Sequence, residues 1–386
     1  MAITVSLSES RSDSEVSRTV SIHSKDTKRI EYVYRGDILP EPTPLADSAG
    51  LSAFHMAMHL GHDLHIDGLV SQSLLENLDE LQRARILLHP KHYSPINISA
   101  AEITRASDEK NNSAIIAFSG GVDSTAALLS HLSGEVGRRR RDIKAAILVH
   151  GFDVPLHDNE LFQLCASQAR QSLATKEIPL TTVSTNWRAI CTDWEIEHLS
   201  GLASCMSAYS SNFSYGIVAA DFCYNTFSTK WGNNPVLNGL LGSDAFTIQT
   251  DNHGTSRCDK IAWIAESEVF SEAIRVCWRS PTKDRINCGK CEKCIRTKMN
   301  FMAHGKTPPT TLGASPELWR IALSPILGKV FLEFQEQTLS RARANGIHAP
   351  WLRALQFAYV LNKARAALHP LEYSLVRPIY RSIRGR

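Results

Sequence analysis

Residues Ser113 to Leu132 read SAIIAFSGGVDSTAALLSHL, and this stretch decides the fold. The apolar run Ala114–Phe118 predicts a buried strand, which passes directly into Ser119-Gly120-Gly121-Val122-Asp123-Ser124. Thr125 to Leu129 then suit a helix ending near Gly134. A strand, a tight glycine turn and a helix N-terminus in that order make an anion site. Glycines let backbone N–H groups approach an oxyanion, serine hydroxyls add donors, and the helix dipole favours negative charge. Two common phosphate loops are excluded by what is missing. A Walker A loop needs a lysine that reaches the outer phosphates. Asp123 stands after Gly121 instead, and Gly305-Lys306-Thr307 has no upstream glycine and is followed by two prolines. A dinucleotide loop needs G-x-G-x-x-G, which is also absent.

Downstream, strand and helix patterns alternate, which predicts a parallel sheet with crossover helices. A strand over 143–149 delivers His150-Gly151-Phe152-Asp153, and a helix over 159–174 follows. A strand over 180–184 delivers Thr185-Asn186-Trp187-Arg188. A third, over 246–250, delivers Asp251-Asn252-His253-Gly254 before a helix that begins near Ser256 and carries Arg257. Ligands of open parallel sheets bind at the carboxyl ends of the strands, which makes His150, Asp153, Asn186, Arg188 and Arg257 candidates by position. A capping or turn role accounts for each of them equally well.

Cys288, Cys291 and Cys294 form C-x-x-C-x-x-C, and Cys277 lies ten intervening residues upstream. Four thiolates at this spacing suit one tetrahedral zinc that stabilises the local fold. A ferredoxin run requires a further cysteine four residues on, where Lys298 stands.

The Ser119–Ser124 loop resembles the PP-loop of the N-type ATP pyrophosphatases. With the Cys…Cys-Gly-x-Cys-x-x-Cys tail, the stretch from Ser113 to Phe301 is similar to the 7-cyano-7-deazaguanine synthases. The resemblance implies an α/β, parallel-sheet, adenine-nucleotide α-hydrolase-like (HUP/PP-loop) core. It also implies ATP with Mg2+, split to AMP and pyrophosphate, and a structural Zn2+. Ser119, Gly120, Gly121, Asp123 and Ser124 would grip the phosphates, bordered by His150 and Asp153. Asp123, Ser124 and Arg257 would act in catalysis, and Cys277, Cys288, Cys291 and Cys294 would hold zinc. The expected reaction activates a small-molecule carboxylate as its adenylate, for attack by ammonia or an amine or for proton loss. The alternative is sulfur transfer to a nucleobase or tRNA carbonyl, with a donor protein and Cys165, Cys191, Cys205, Cys223 or Cys258 as carrier. A zinc-stabilised nucleotide sensor is a third reading. The flanking segments and the insertion holding Trp231 to Asp244 depart from that family, which points to a different acceptor.

The remaining composition is that of a globular chain. It has 386 residues, 43% hydrophobic and 21% charged, with nine cysteines and a net charge of +3. That charge does not argue for nucleic acid. No apolar run approaches the ~20 residues of a membrane span. The serine-rich start lacks the apolar core of a secretory signal, so the expected setting is the cytoplasm. The expected division is a flexible tail (1–28), a mostly helical N-terminal cap (29–112), the nucleotide domain (113–301) and a C-terminal helical extension (302–386). The cap is open to a role in dimerisation. Its His55, His59, His62 and His65 lack the carboxylate of His-Glu-x-x-His and read as ordinary core or surface histidines. Arg138–Arg141 and the basic residues Arg377, Arg381, Arg384 and Arg386 read as solvated.

Overall fold

The computed structural model describes residues 2–105, 110–277, 285–324 and 329–375. Two compact units emerge: residues 1–255 with 273–278, and residues 256–272 with 279–386.

The first unit is built on β1 (Ala2–Arg11), β2 (Glu15–His23), β3 (Thr27–Arg35), α1 (Asp47–Leu60), β4 (Asp63–Ser71), α2 (Gln72–Leu88) and β5 (Ile98–Thr104). It continues with β6 (Ser113–Ala117), α3 (Val122–Ser133), β7 (Asp142–His150), α4 (Asn159–Ala174), β8 (Leu180–Thr185), α5 (Trp194–Ser207), β9 (Tyr215–Ala219) and β10 (Thr247–Asp251). Among the described residues these strands form one sheet in the order β10-β9-β6-β7-β8-β3-β2-β1-β4-β5. The five strands from β10 to β8 are mutually parallel. β8, β3, β2 and β1 pair antiparallel, and β1, β4 and β5 are again parallel.

The expected tail is instead strand. In β2 the inward positions are Val16, Arg18, Val20 and Ile22, and in β1 Ile3 and Val5 are fully buried. Serines fill much of the outward face, so composition masked a two-residue period that marks a half-buried strand. The inward Arg18 is held by Glu9 at 3.2 Å. Ile22→Ala should therefore cost about 2–5 kcal/mol, the usual range for truncating a buried isoleucine. Urea unfolding measures it, and a change near zero would restore the tail.

Residues 29–112 are also not a mostly helical cap. α1 stops at Gly61, which takes the left-handed conformation (φ 64°). The next stretch is the strand β4, with Leu64, Ile66 and Val70 buried. These residues share one core with Ile115 and Ile147 of the parallel half, so the segment belongs to the same compact unit. Tyr32 joins the parts: its hydroxyl lies 2.7 Å from Ser52 Oγ on α1 and 3.0 Å from Ser204 Oγ on α5.

The second unit contains α6 (Arg257–Ala265), α7 (Glu268–Glu272), α8 (Glu292–Ala303), α9 (Leu318–Ala322), α10 (Lys329–Ala344) and α11 (Pro350–Leu375). Its core gathers Ile295, Met299, Ile321, Leu339, Trp351 and Leu355. The expected C-terminal helices are present; Arg377, Arg381, Arg384 and Arg386 lie outside the described residues. Among the described residues, no helix is long and apolar enough to cross a membrane.

Candidate active site and metal centre

Taken in chain order, the parallel strands β6, β7, β8, β9 and β10 lie in the spatial order three-two-one-four-five. The order reverses between β6 and β9, because β7 lies on one side of β6 and β9 on the other. Crevices that receive ligands open outside the carboxyl ends of strands at such a switch point. The Ser119–Ser124 loop leaves β6 there.

The loop is a built turn. Gly120 has φ +70°, a left-handed conformation that L side chains avoid, and Gly121 is the residue that caps α3. Gly121 N–H donates to Ser119 Oγ at 3.3 Å. Ser124 Oγ donates to the Gly121 carbonyl at 3.3 Å and lies 3.2 Å from Ser119 Oγ. Residues 273–277 return beside it, with the Arg275 N–H on the Gly120 carbonyl at 2.8 Å. A Cβ on Gly121 would sit 3.2 Å from Ser119 Oγ, so the two glycines and the serine are mutually fitted. The first turn of α3 thus faces the strand-end edge, where a helix leaves N–H groups without intrahelical acceptors. Asp123 stands in that turn, half-buried, and Ser124 is buried.

The other strand-end candidates divide by how their side chains are used. His150 Nε2 lies 3.0 Å from the Pro155 carbonyl and its ring stacks on Phe162 at 4.2 Å. Burial lowers its pKa, against a smaller upward effect of the Pro155 bond, so the ring is neutral and part of the turn into α4. Asp153 is exposed in that turn. Asn186 accepts from the Glu31 N–H and donates to the Arg29 carbonyl, tying the end of β8 to β3. Arg188 donates to the Phe152 carbonyl at 3.0 Å and lies 4.4 Å over the Trp194 ring. Arg257 opens α6, directly after the Ser256 cap, and belongs to the second unit; its part in the phosphate site rests on the sequence.

The sequence did not single out an aromatic group on the same edge. Trp194 and Trp231 flank His198 at 5.7 and 5.6 Å between ring centres, and Phe222 packs edge-on against Trp231. Asp221, two residues past β9, accepts from Trp231 Nε1 at 2.9 Å, with His198 Nε2 at 3.8 Å. Its signal was the apolar run Gly216–Ala220 ending in Asp221, the same strand-then-polar pattern that nominated His150.

Two of the four consecutive arginines have side-chain partners on β10. Arg139 Nε donates to Asp251 Oδ1 at 2.6 Å, and Arg141 donates to Gln249 at 2.9 Å while its guanidinium covers Tyr215 at 3.9 Å. Asp251 also accepts from His131 Nε2 at 3.1 Å and from Gln249 at 2.6 Å. Burial raises the Asp251 pKa, but the bonds from His131, Gln249 and Arg139 outweigh it and hold the carboxyl below its usual range. A depressed folded pKa gives stability that is present above the unfolded value, about 3.9, and is lost as pH falls through the folded one. Asp251→Asn should flatten the pH dependence of unfolding below about pH 4. Urea midpoints from pH 2 to 5 measure it, and an unchanged slope would rule the group out as a source.

In the second unit Cys288, Cys291 and Cys294 converge. Cys294 Sγ lies 3.5 Å from Cys291 Sγ and 3.9 Å from Cys288 Sγ. Gly289, at φ +70°, turns the knuckle so that the N–H groups of Cys291 and Lys290 point at Cys288 Sγ, at 3.2 and 3.5 Å. Lys298 fixes the turn from the other side by donating to the Gly289 carbonyl at 2.9 Å. A thiolate that accepts two backbone N–H bonds is already oriented for a soft cation. Cys277 closes the 273–277 segment of the first unit and is buried. His55, His59, His62 and His65 make no converging ligand group among the described residues, and His55 packs between Phe54 and Tyr93.

Comparisons with protein-family models, with curated proteins and with solved structures find no match for this chain.

Proposed function

We propose that the chain is an AMP-forming enzyme that activates a small-molecule carboxylate with ATP and passes the acyl group to ammonia or an amine, or lets it lose a proton. The observation that carries this reading is the Ser119–Ser124 loop leaving β6 at the switch point of a three-two-one-four-five parallel sheet. ATP with magnesium, when bound, supplies the anhydride whose cleavage to AMP and pyrophosphate drives the activation. Backbone N–H groups of the loop and the hydroxyls of Ser119 and Ser124 would hold the outer phosphates. The half-buried Asp123 carboxylate is the natural magnesium contact, since oxygen ligands suit that ion. The chain's part is positioning and charge neutralisation by groups already fixed in place, which needs no strong general base. Asp221, His198 and the tryptophans on the same edge are the proposed acceptor contacts.

On their spacing in the sequence, Cys277, Cys288, Cys291 and Cys294 are the proposed metal ligands. Four thiols without a site for exchange suit structural zinc.

Sulfur transfer gains no support from the spare cysteines. Burial pushes the thiols of Cys165, Cys191 and Cys205 up and that of Cys258 to about 12, whereas a sulfur carrier needs thiolate.

The test is incubation of the purified chain with Mg2+-ATP and a panel of heteroaromatic and aliphatic carboxylates, with AMP and pyrophosphate quantified. Carboxylate-dependent release of both in equal amounts is expected. ATP binding with no release across acids and carbonyl compounds would favour the sensor reading instead.

A further inference from the structure

A second set of metal-ligating side chains lies in the helical unit, apart from the cysteine knuckle. Cys258 and Asp259 stand in the first turn of α6, and His304 caps the C-terminus of α8. Their ligand atoms all lie within 4.8 Å of one another. His304 Nε2 is 4.0 Å from Cys258 Sγ and 4.0 Å from an Asp259 carboxylate oxygen. Cys258 is buried and the other two are half-buried.

These separations can be set against metal chemistry. Zinc bonds of about 2.3 Å to sulfur and about 2.0–2.1 Å to nitrogen and oxygen allow donors to stand at most about 4.3 Å (S to N) and 4.1 Å (N to O) apart. Both observed distances fall inside those limits. Closing to tetrahedral angles needs about half an ångström of approach, within reach of side-chain rotation. The donors are also held from behind. Ser256 Oγ accepts the Asp259 N–H at 3.0 Å, while Arg341 on α10 grips Asp259 Oδ1 at 2.7 Å, the same oxygen that lies 4.0 Å from His304 Nε2. Asn345 Nδ2 donates to the Ala303 carbonyl at 2.9 Å, just before His304. Two groups compete with a metal here: the Arg341 cation, and the bond from His304 Nε2 to the Cys258 carbonyl at 2.9 Å. Ligation moves the imidazole proton to Nδ1 and gives up that bond, so the site is weaker than a four-thiolate one.

We propose that Cys258, Asp259 and His304 form a second zinc site, with three protein ligands and one position open to water or an exogenous ligand. A thiolate and an imidazole select zinc over magnesium or calcium, and three ligands rather than four are the arrangement that keeps a metal reachable. The site is independent of the cysteine knuckle and of the adenylation reading.

The test is metal binding by the full-length chain after chelator stripping, titrated with Zn2+ and separately with Co2+. Two zinc equivalents are expected, the weaker one lost in Cys258→Ser and in His304→Asn, while Cys288→Ser loses the tighter one. The cobalt form should lose the same part of its sulfur-to-metal charge-transfer band in Cys258→Ser and in His304→Asn, since both give up the metal at this site. Arg341→Met removes the competing cation and should tighten the weaker equivalent about tenfold. Equal zinc content and equal affinity in wild type, Cys258→Ser and His304→Asn would overturn the proposal, as would unchanged affinity in Arg341→Met. If the knuckle binds no zinc, wild type takes up one equivalent that Cys258→Ser abolishes, and this inference stands while the knuckle assignment fails.

Discussion

Serine at Cys291 should lower the apparent melting temperature by roughly 10 °C or more and release the tightly held zinc. The expectation follows from the convergence of three cysteine sulfurs at the start of α8. The knuckle is a turn whose N–H groups point at sulfur, and its carbonyl at Gly289 is held by Lys298. Without a cation, Cys294 Sγ stands 3.5 Å from Cys291 Sγ and 3.9 Å from Cys288 Sγ, with Cys294 buried and the other two half-buried. Structural zinc in small peptides contributes about 10–16 kcal/mol at pH 7, and even a third of that shifts melting by roughly 10 °C in a mid-sized domain. Lys298 itself is buried, and burial lowers its pKa against the upward pull of the neighbouring cysteines. Calorimetry with metal analysis on the same sample checks the prediction. A Cys291→Ser protein that keeps its zinc and its melting point would remove the knuckle from the metal assignment. Cys277→Ser should show the same loss of zinc, since the sequence spacing supplies Cys277 as the fourth proposed ligand.

The second large effect concerns the loop. Asp123→Ala should reduce AMP release by about 10²–10³-fold while leaving the melting temperature nearly unchanged, the usual consequence of removing one fixed group that meets developing or bound charge. Gly120→Val should abolish release by another route. A β-branched residue at φ +70° costs about 1–3 kcal/mol, and relieving that strain moves the N–H groups away from the phosphate position. The pair separates chemistry from shape: one variant removes a charge on an intact turn, the other distorts the turn and keeps the charge. Initial rates of AMP formation under saturating ATP, with the best carboxylate from the panel, measure both. Wild-type rates in Asp123→Ala would sink the phosphate-site assignment.

Much of this was legible in the chain. The strand at 113–117, the glycine turn and the helix after it are local features: an apolar run, two glycines, then residues with no strong strand preference. The helix over 159–174 was read to the residue, and the cysteine spacing fixed which thiols could converge.

What the sequence hid was decided by pairing between distant segments. Residues 2–23 carry a strand period diluted by serines, and they become strands because β3 pairs with β8 and extends the sheet past the parallel half. An isolated hairpin of that composition buries too little to hold; beside a ready-made sheet edge its inward valines and isoleucines have a core to join. The same holds for the arginines at 139 and 141, which read as a charged loop until β10 supplies Asp251 and Gln249. Asp221 and the tryptophans around His198 come from three separate stretches, and no local pattern joins them. Local chemistry therefore set the loop, the knuckle and the helices. Strand order set the switch point at which that loop lies and which polar groups share its edge.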